Sequence, residues 1–151
     1  MEEKFKYLVS FDTDRIKDYV FATDKLREVR GASQILNELN KPDQMESAIS
    51  RVCSSLELIF SAGGASAFLV PTEDDAKAAI AEVEKEYRTT TITGSISGVW
   101  VPLVPATREN GFGQRMEAAA LRLRQKKDEQ AGIPLIPLEP YMQPCQSCQR
   151  Y

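Results

Sequence analysis

The chain has 151 residues, 42% hydrophobic and 27% charged, which suits one globular domain with a buried core. A formal net charge of -3 offers no global basic field for nucleic acid. The chain has no histidine, which excludes Ser-His and Cys-His catalysis and histidine metal sites. No apolar run approaches the roughly 18 residues that span a bilayer. The charged start Met1-Glu2-Glu3-Lys4 is unlike a signal peptide, so the expected location is the cytoplasm.

Phe5 to Phe11 reads as a strand, with Phe5, Tyr7, Val9 and Phe11 on one face. The period then changes. Ile16, Tyr19, Val20 and Thr23 follow helical spacing, with Asp14 placed as an N-cap acid. Leu26, Val29, Ala32, Ser33, Leu36 and Leu39 continue a helical stripe. Gly31 interrupts that stripe and predicts a close backbone approach or a break. Asn40-Lys41-Pro42-Asp43 is a stop and restart, and Gln44 to Ser54 is helical again, with Cys53 as a core thiol.

Leu56 to Phe60 and Ser66 to Val70 form a predicted hairpin around Ser61-Ala62-Gly63-Gly64-Ala65. Glu73, Asp74 and Asp75 open a helix whose apolar face is Ala76, Ala79, Ile80, Val83 and Tyr87. Thr89 to Leu103 is β-branched at its start and reads as one long strand. A loop at Arg108 to Gly113 leads to a helix over Gln114 to Gln130. One face of that helix carries Arg122, Arg124, Lys126 and Lys127. Gly132 to Leu138, with Pro134 and Pro137, reads as a closing edge strand. The first part of this order is βαββαβ, an α+β ferredoxin-like arrangement. It predicts an antiparallel sheet with helices mainly on one face.

Asp12-Thr13-Asp14-Arg15-Ile16-Lys17-Asp18-Tyr19-Val20-Phe21-Ala22-Thr23, then Leu26-Arg27-Glu28-Val29-Arg30-Gly31-Ala32-Ser33, resembles the opening of the first palm domain of the large subunit of type III CRISPR effector complexes. The Ser61-Ala62-Gly63-Gly64 hairpin, the Val99-Trp100-Val101-Pro102 strand and the Pro-Tyr segment before a CxxC fit the same pattern. The resemblance spans essentially the whole chain. That family is similar to GGDEF-type cyclases and polymerase palms. It implies two palms that bind ATP between them and make cyclic oligoadenylates for antiviral defence when the complex holds target RNA. It further implies a palm over 1–140 and the start of a zinc-binding segment over 141–151. The partners implied are a second palm and other effector subunits.

The hairpin departs from the catalytic form. Its tip is Gly63-Gly64-Ala65-Ser66, with no acid where an active hairpin has two. Two-metal phosphoryl transfer needs several converging carboxylates. The expectation is a palm that is silent alone and relies on a second palm for catalysis. The alternative is a degenerate palm that serves as a structural protein-protein module. The separated domain could also form a homodimer.

Several residues carry two readings. Asp12 is a metal ligand of the Mg2+-ATP type or a helix-capping or loop-ordering acid. Asp12, Thr13, Asp14, Gly63, Gly64, Ala65 and Ser66 are the candidate nucleotide contacts, with the glycines either approaching phosphate or simply supplying positive φ. Arg30 to Ser33 is a nucleotide or partner surface, or tight packing at Gly31 and Ala32. The basic helix face is an RNA contact or a solvated face. Cys145 and Cys148 are half of a Zn2+ site if ligands beyond Tyr151 complete it, or a thiol-bearing tail.

Overall fold

A computed structural model of the chain describes residues 4–103 and 111–131. Four strands and five helices alternate in it as β1 (Tyr7–Asp14), α1 (Ile16–Val20), α2 (Leu26–Leu39), α3 (Pro42–Ser50), β2 (Glu57–Ala62), β3 (Ala65–Val70), α4 (Glu73–Thr91), β4 (Ser95–Pro102) and α5 (Phe112–Ala131). The strands form one antiparallel sheet in the order β2-β3-β1-β4. The expected ferredoxin-like α+β palm arrangement is therefore present.

Period-two alternation along β1 sorts its residues between two cores. Val9 and Phe11 join Phe68, Val70 and Ile96 under Leu36, Met45, Ile49, Ala79, Val83 and Tyr87 of α2, α3 and α4. Phe11 meets Phe68 edge-to-face at 6.2 Å between ring centroids. Leu8 joins Ala67, Val99 and Val101 under Ala119 and Leu123 of α5 on the opposite face. The helices thus lie mainly on one face, with α5 on the other. Gly98 sits across from Phe11, and a methyl there would lie 2.7 Å from Phe11 Cε1 and 2.9 Å from Ile80 Cγ1.

Five expectations need correction. First, β1 runs on to Asp14, so Asp14 is a strand residue paired with Ser95 and not a helix cap. Arg15 precedes α1 instead, in the left-handed region at φ 46°, and α1 has only five residues. Second, α2 passes unbroken through Gly31, where an added methyl would meet nothing within 4 Å. Neither a break nor a close approach accounts for this glycine. Third, α3 begins with Pro42, whose fixed φ and missing N–H suit a first turn, and ends at Ser50.

Fourth, Thr89-Thr90-Thr91 belongs to α4. The hydroxyls of Thr89 and Thr91 donate to the carbonyls of Lys85 and Tyr87, four residues back, at 2.8 and 2.7 Å. Ala79, Val83, Tyr87 and Thr91 are buried at a spacing of four, and this stripe outweighs β propensity. The helix stops at Ile92, which is held at φ 65° by a hydrogen bond from Thr93 N to Thr91 O. Fifth, the basic face of α5 is not simply solvated. Arg122 donates to Trp100 O, and Lys126 donates to Gly98 O and pairs with Glu84, which accepts from Gly98 N. These side chains cover the outer edge of β4. The expected edge strand at 132–138 and the CxxC lie outside the described residues.

Candidate functional site

The hairpin tip is a two-residue loop. Ala62 pairs with Ala65, and Gly63 and Gly64 stand at φ 64° and 90°, as a type I′ turn requires. Only glycine enters both positions cheaply. At Gly64 space is also short, because a methyl would lie 3.0 Å from Ile16 Cδ1 and 3.3 Å from Thr13 Oγ1.

The tip is fastened to the end of β1. Gly64 O accepts from Thr13 N at 2.8 Å and from Thr13 Oγ1 at 2.9 Å. Thr13 has then spent its proton, so the buried Tyr87 hydroxyl, 3.2 Å away, donates to it. Burial pushes the Tyr87 phenol above its ordinary value, against the opposing pull of its hydrogen bonds to Thr13 and Asn40. Asn40 approaches Thr13 Oγ1 at 3.5 Å and donates to Leu36 O at 2.8 Å, while its own carbonyl accepts from Ser61 Oγ at 2.8 Å. Strand end, hairpin and α2 are locked by one buried polar cluster.

A cleft of about 440 Å³ opens beside this cluster, lined by Ser33, Asn37, Asn40, Lys41 and the backbone of Gly63 and Gly64 among others. The size is that of a small-molecule pocket. The amide of Asn37 can both donate and accept, while that of Asn40 is committed to Leu36 O.

Asp12 and Asp14 lie on the other face of the sheet, toward α5. Lys127 Nζ sits between them, 2.6 Å from Asp12 Oδ2 and 3.0 Å from Asp14 Oδ1, with Thr13 O at 3.4 Å. Burial lowers the Lys127 pKa, but the two carboxylates more than offset this and hold it above the ordinary lysine value. Asp14 Oδ2 accepts from the buried Ser97 hydroxyl at 2.8 Å. Mg2+ at these acids is a poor fit as they stand, since a cation is already held there. Among the described residues no three acids or thiols gather into a metal-binding group.

The structure therefore brings Asp12, Thr13, Gly64 and Ala65 together, with Asp12 opposite Ala65 in register. It sets Asp12 and Asp14 side by side on the α5 face, away from the cleft, which Gly63 and Gly64 line. Ser66 is fully buried on the helix-covered side, opposite Phe11, and does not reach the tip surface. Cys145 and Cys148 lie outside the described residues. Asn40, Tyr87 and Lys127 were not singled out from the sequence. Asn40 read as a helix stop, Tyr87 as a core aromatic and Lys127 as one charge in a run.

Fold and site together define a palm-type domain, with a glycine hairpin seated against the acid-bearing end of the first strand. Solved structures it is similar to include several that contain Csm1. One is the Csm1-Csm4 cassette in complex with pppApApA, at 20% identity and a TM-score of 0.67, covering 86% of this chain and 20% of that one. Another is the cassette in complex with one ATP, at 14% identity and a TM-score of 0.67, covering 94% and 22%. Csm1 in T. onnurineus matches at 20% identity and a TM-score of 0.61, covering 84% and 20%. The chain spans about a fifth of the length of these proteins. No family model and no curated protein matches the sequence.

Proposed function

We propose that this chain is a palm domain of a type III CRISPR large subunit. In this reading it binds ATP and assembles with a second palm for cyclic oligoadenylate synthesis in antiviral defence, in the cytoplasm. The observation that carries the reading is the cleft beside the Gly63-Gly64 tip, in a fold shared with Csm1 structures that hold one ATP or pppApApA. Ser33 and Asn37 line a base-sized space with the buried Asn40 at its edge, and the exposed Gly63 leaves room for phosphate above the tip. Mg2+ would travel with the triphosphate.

The domain is catalytically silent alone, because its tip carries Gly63-Gly64-Ala65-Ser66 and no acid. The second palm supplies the missing carboxylates. Contact with RNA and with other effector subunits belongs to the assembled complex, and Zn2+ to a site that Cys145 and Cys148 would begin.

Isothermal titration of ATP, with and without Mg2+, tests this in the chain alone and joined to a second palm. Saturable binding that Asn37→Ala weakens at least about tenfold is the expected result, that is ~1.4 kcal/mol. Binding only in the joined form assigns the site to the palm-palm interface. Binding by neither form refutes the nucleotide reading and leaves a structural interaction module.

A further inference from the structure

We infer that Lys127 is the resident cation of this palm. Its ammonium fills, between Asp12, Asp14 and the Thr13 carbonyl, the place a divalent ion would take, and the domain holds no metal at these acids. The inference goes beyond the nucleotide reading and stands without it, since it concerns the opposite face of the sheet.

Three oxygens from β1 face one amine at 2.6, 3.0 and 3.4 Å. Two carboxylates and a backbone carbonyl are the donor types that hard cations choose. An ammonium with three protons satisfies the same oxygens at longer range. Asp14 is nine-tenths buried, and its Oδ1 meets the Lys127 ammonium at 3.0 Å, while Oδ2 is occupied by Ser97.

Asp12 and Asp14 are two residues apart on one strand, so their side chains share a face and repel. The Lys127 ammonium between them offsets that repulsion. Lys127 is delivered by α5, whose Ala119 and Leu123 are packed on the same face of the sheet. Lys126 is engaged with Glu84 and Gly98 O and does not serve as a substitute. Removing the Lys127 amine leaves an oxygen cage with two negative charges, which a divalent ion can fill.

The test is thermal unfolding and Mn2+ electron paramagnetic resonance, with Mn2+ as the probe and no nucleotide present. The wild-type chain is expected to show no saturable Mn2+ site that depends on Asp12 or Asp14. Lys127→Ala is expected to lose stability and to regain about 5 °C or more of Tm in millimolar Mn2+. The regain should disappear in Lys127→Ala/Asp14→Asn, which separates it from binding at the thiols. Should Lys127→Ala be unfolded without metal, recovery of its circular dichroism on adding Mn2+ is the same readout. A Lys127→Ala chain that Mn2+ neither stabilises nor refolds overturns the inference. So does a saturable Mn2+ site in the wild-type chain that Asp12→Asn abolishes.

Discussion

Thr13→Val removes one hydroxyl and keeps the shape of the side chain. The structure says what that hydroxyl holds. It gives Gly64 O its second donor at 2.9 Å and gives the fully buried Tyr87 hydroxyl its acceptor at 3.2 Å. Gly64 O keeps the Thr13 backbone N–H at 2.8 Å, so its loss is partial. Tyr87, 1% exposed, is left with Asn40 alone, whose amide already donates to Leu36 O. An orphaned buried polar group costs about 1–3 kcal/mol, and a lost second bond to a carbonyl about 0.5–1 kcal/mol. The sum is about 1.5–4 kcal/mol, or a fall in Tm of roughly 3–16 °C for a chain of this size.

Urea denaturation of Thr13→Val, Tyr87→Phe and the double variant measures it. Deleting both hydroxyls removes the orphan, so Thr13→Val/Tyr87→Phe should be at least as stable as Thr13→Val alone. If Thr13→Val lies within about 0.5 kcal/mol of wild type, the cluster does not hold the tip in the way described. Strict additivity in the cycle would sink the argument equally.

Gly31→Ala should stabilise the chain by about 0.5–1 kcal/mol in urea, because α2 is continuous there and the added methyl meets nothing. Gly98→Ala should cost about 1–3 kcal/mol, since its methyl would press on Phe11 and Ile80 inside a packed core, and a neutral result would show that the core gives way freely. Raised pKa values at Tyr87 and Lys127 give an alkaline prediction. Both groups hold their protons more tightly when folded than when unfolded, so their stabilisation is complete below the unfolded values near 10 and is lost as pH rises through the folded ones. Tyr87→Phe should therefore show a shallower fall in stability between about pH 10 and 11 than wild type, measured by urea midpoints.

Much of the scaffold was readable because it is written locally. The alternation in Tyr7-Leu8-Val9-Ser10-Phe11 and the paired glycines at 63 and 64 need only their neighbours to be understood. The α4 stripe from Ala76 to Tyr87 is equally local. The failures have physical causes. Thr89-Thr90-Thr91 looks like strand because β-branched residues prefer strands, yet two of the hydroxyls bond back along the helix and Thr91 extends a buried face. Asp14 looks like a helix cap because an acid before a helical stripe usually is one. Its partners Ser97 and Lys127 lie far away in sequence, and Lys127 pairs with Asp12 across 115 positions. No local pattern encodes such a pairing. Thr13 is another case, since threonine in a strand is unremarkable until Tyr87 and the hairpin arrive beside it.

The covered edge of β4 gives the sheet a direction of growth. An incoming strand at Gly98 would have to evict Glu84 from the N–H and Lys126 from the carbonyl, and at Trp100 it would have to evict Arg122 from the carbonyl. It would also have to separate the Lys126–Glu84 pair, 2.6 Å apart, that bridges the helices of opposite faces. Charged side chains at an edge are a known defence against unwanted pairing. On the opposite side, β2 carries a register irregularity between Leu58 and Phe60 and half-exposes Ile59 and Phe60. Among the described residues, addition of a strand is thus steered away from β4, and the weaker guard at β2 marks the side on which aggregation or strand exchange would begin.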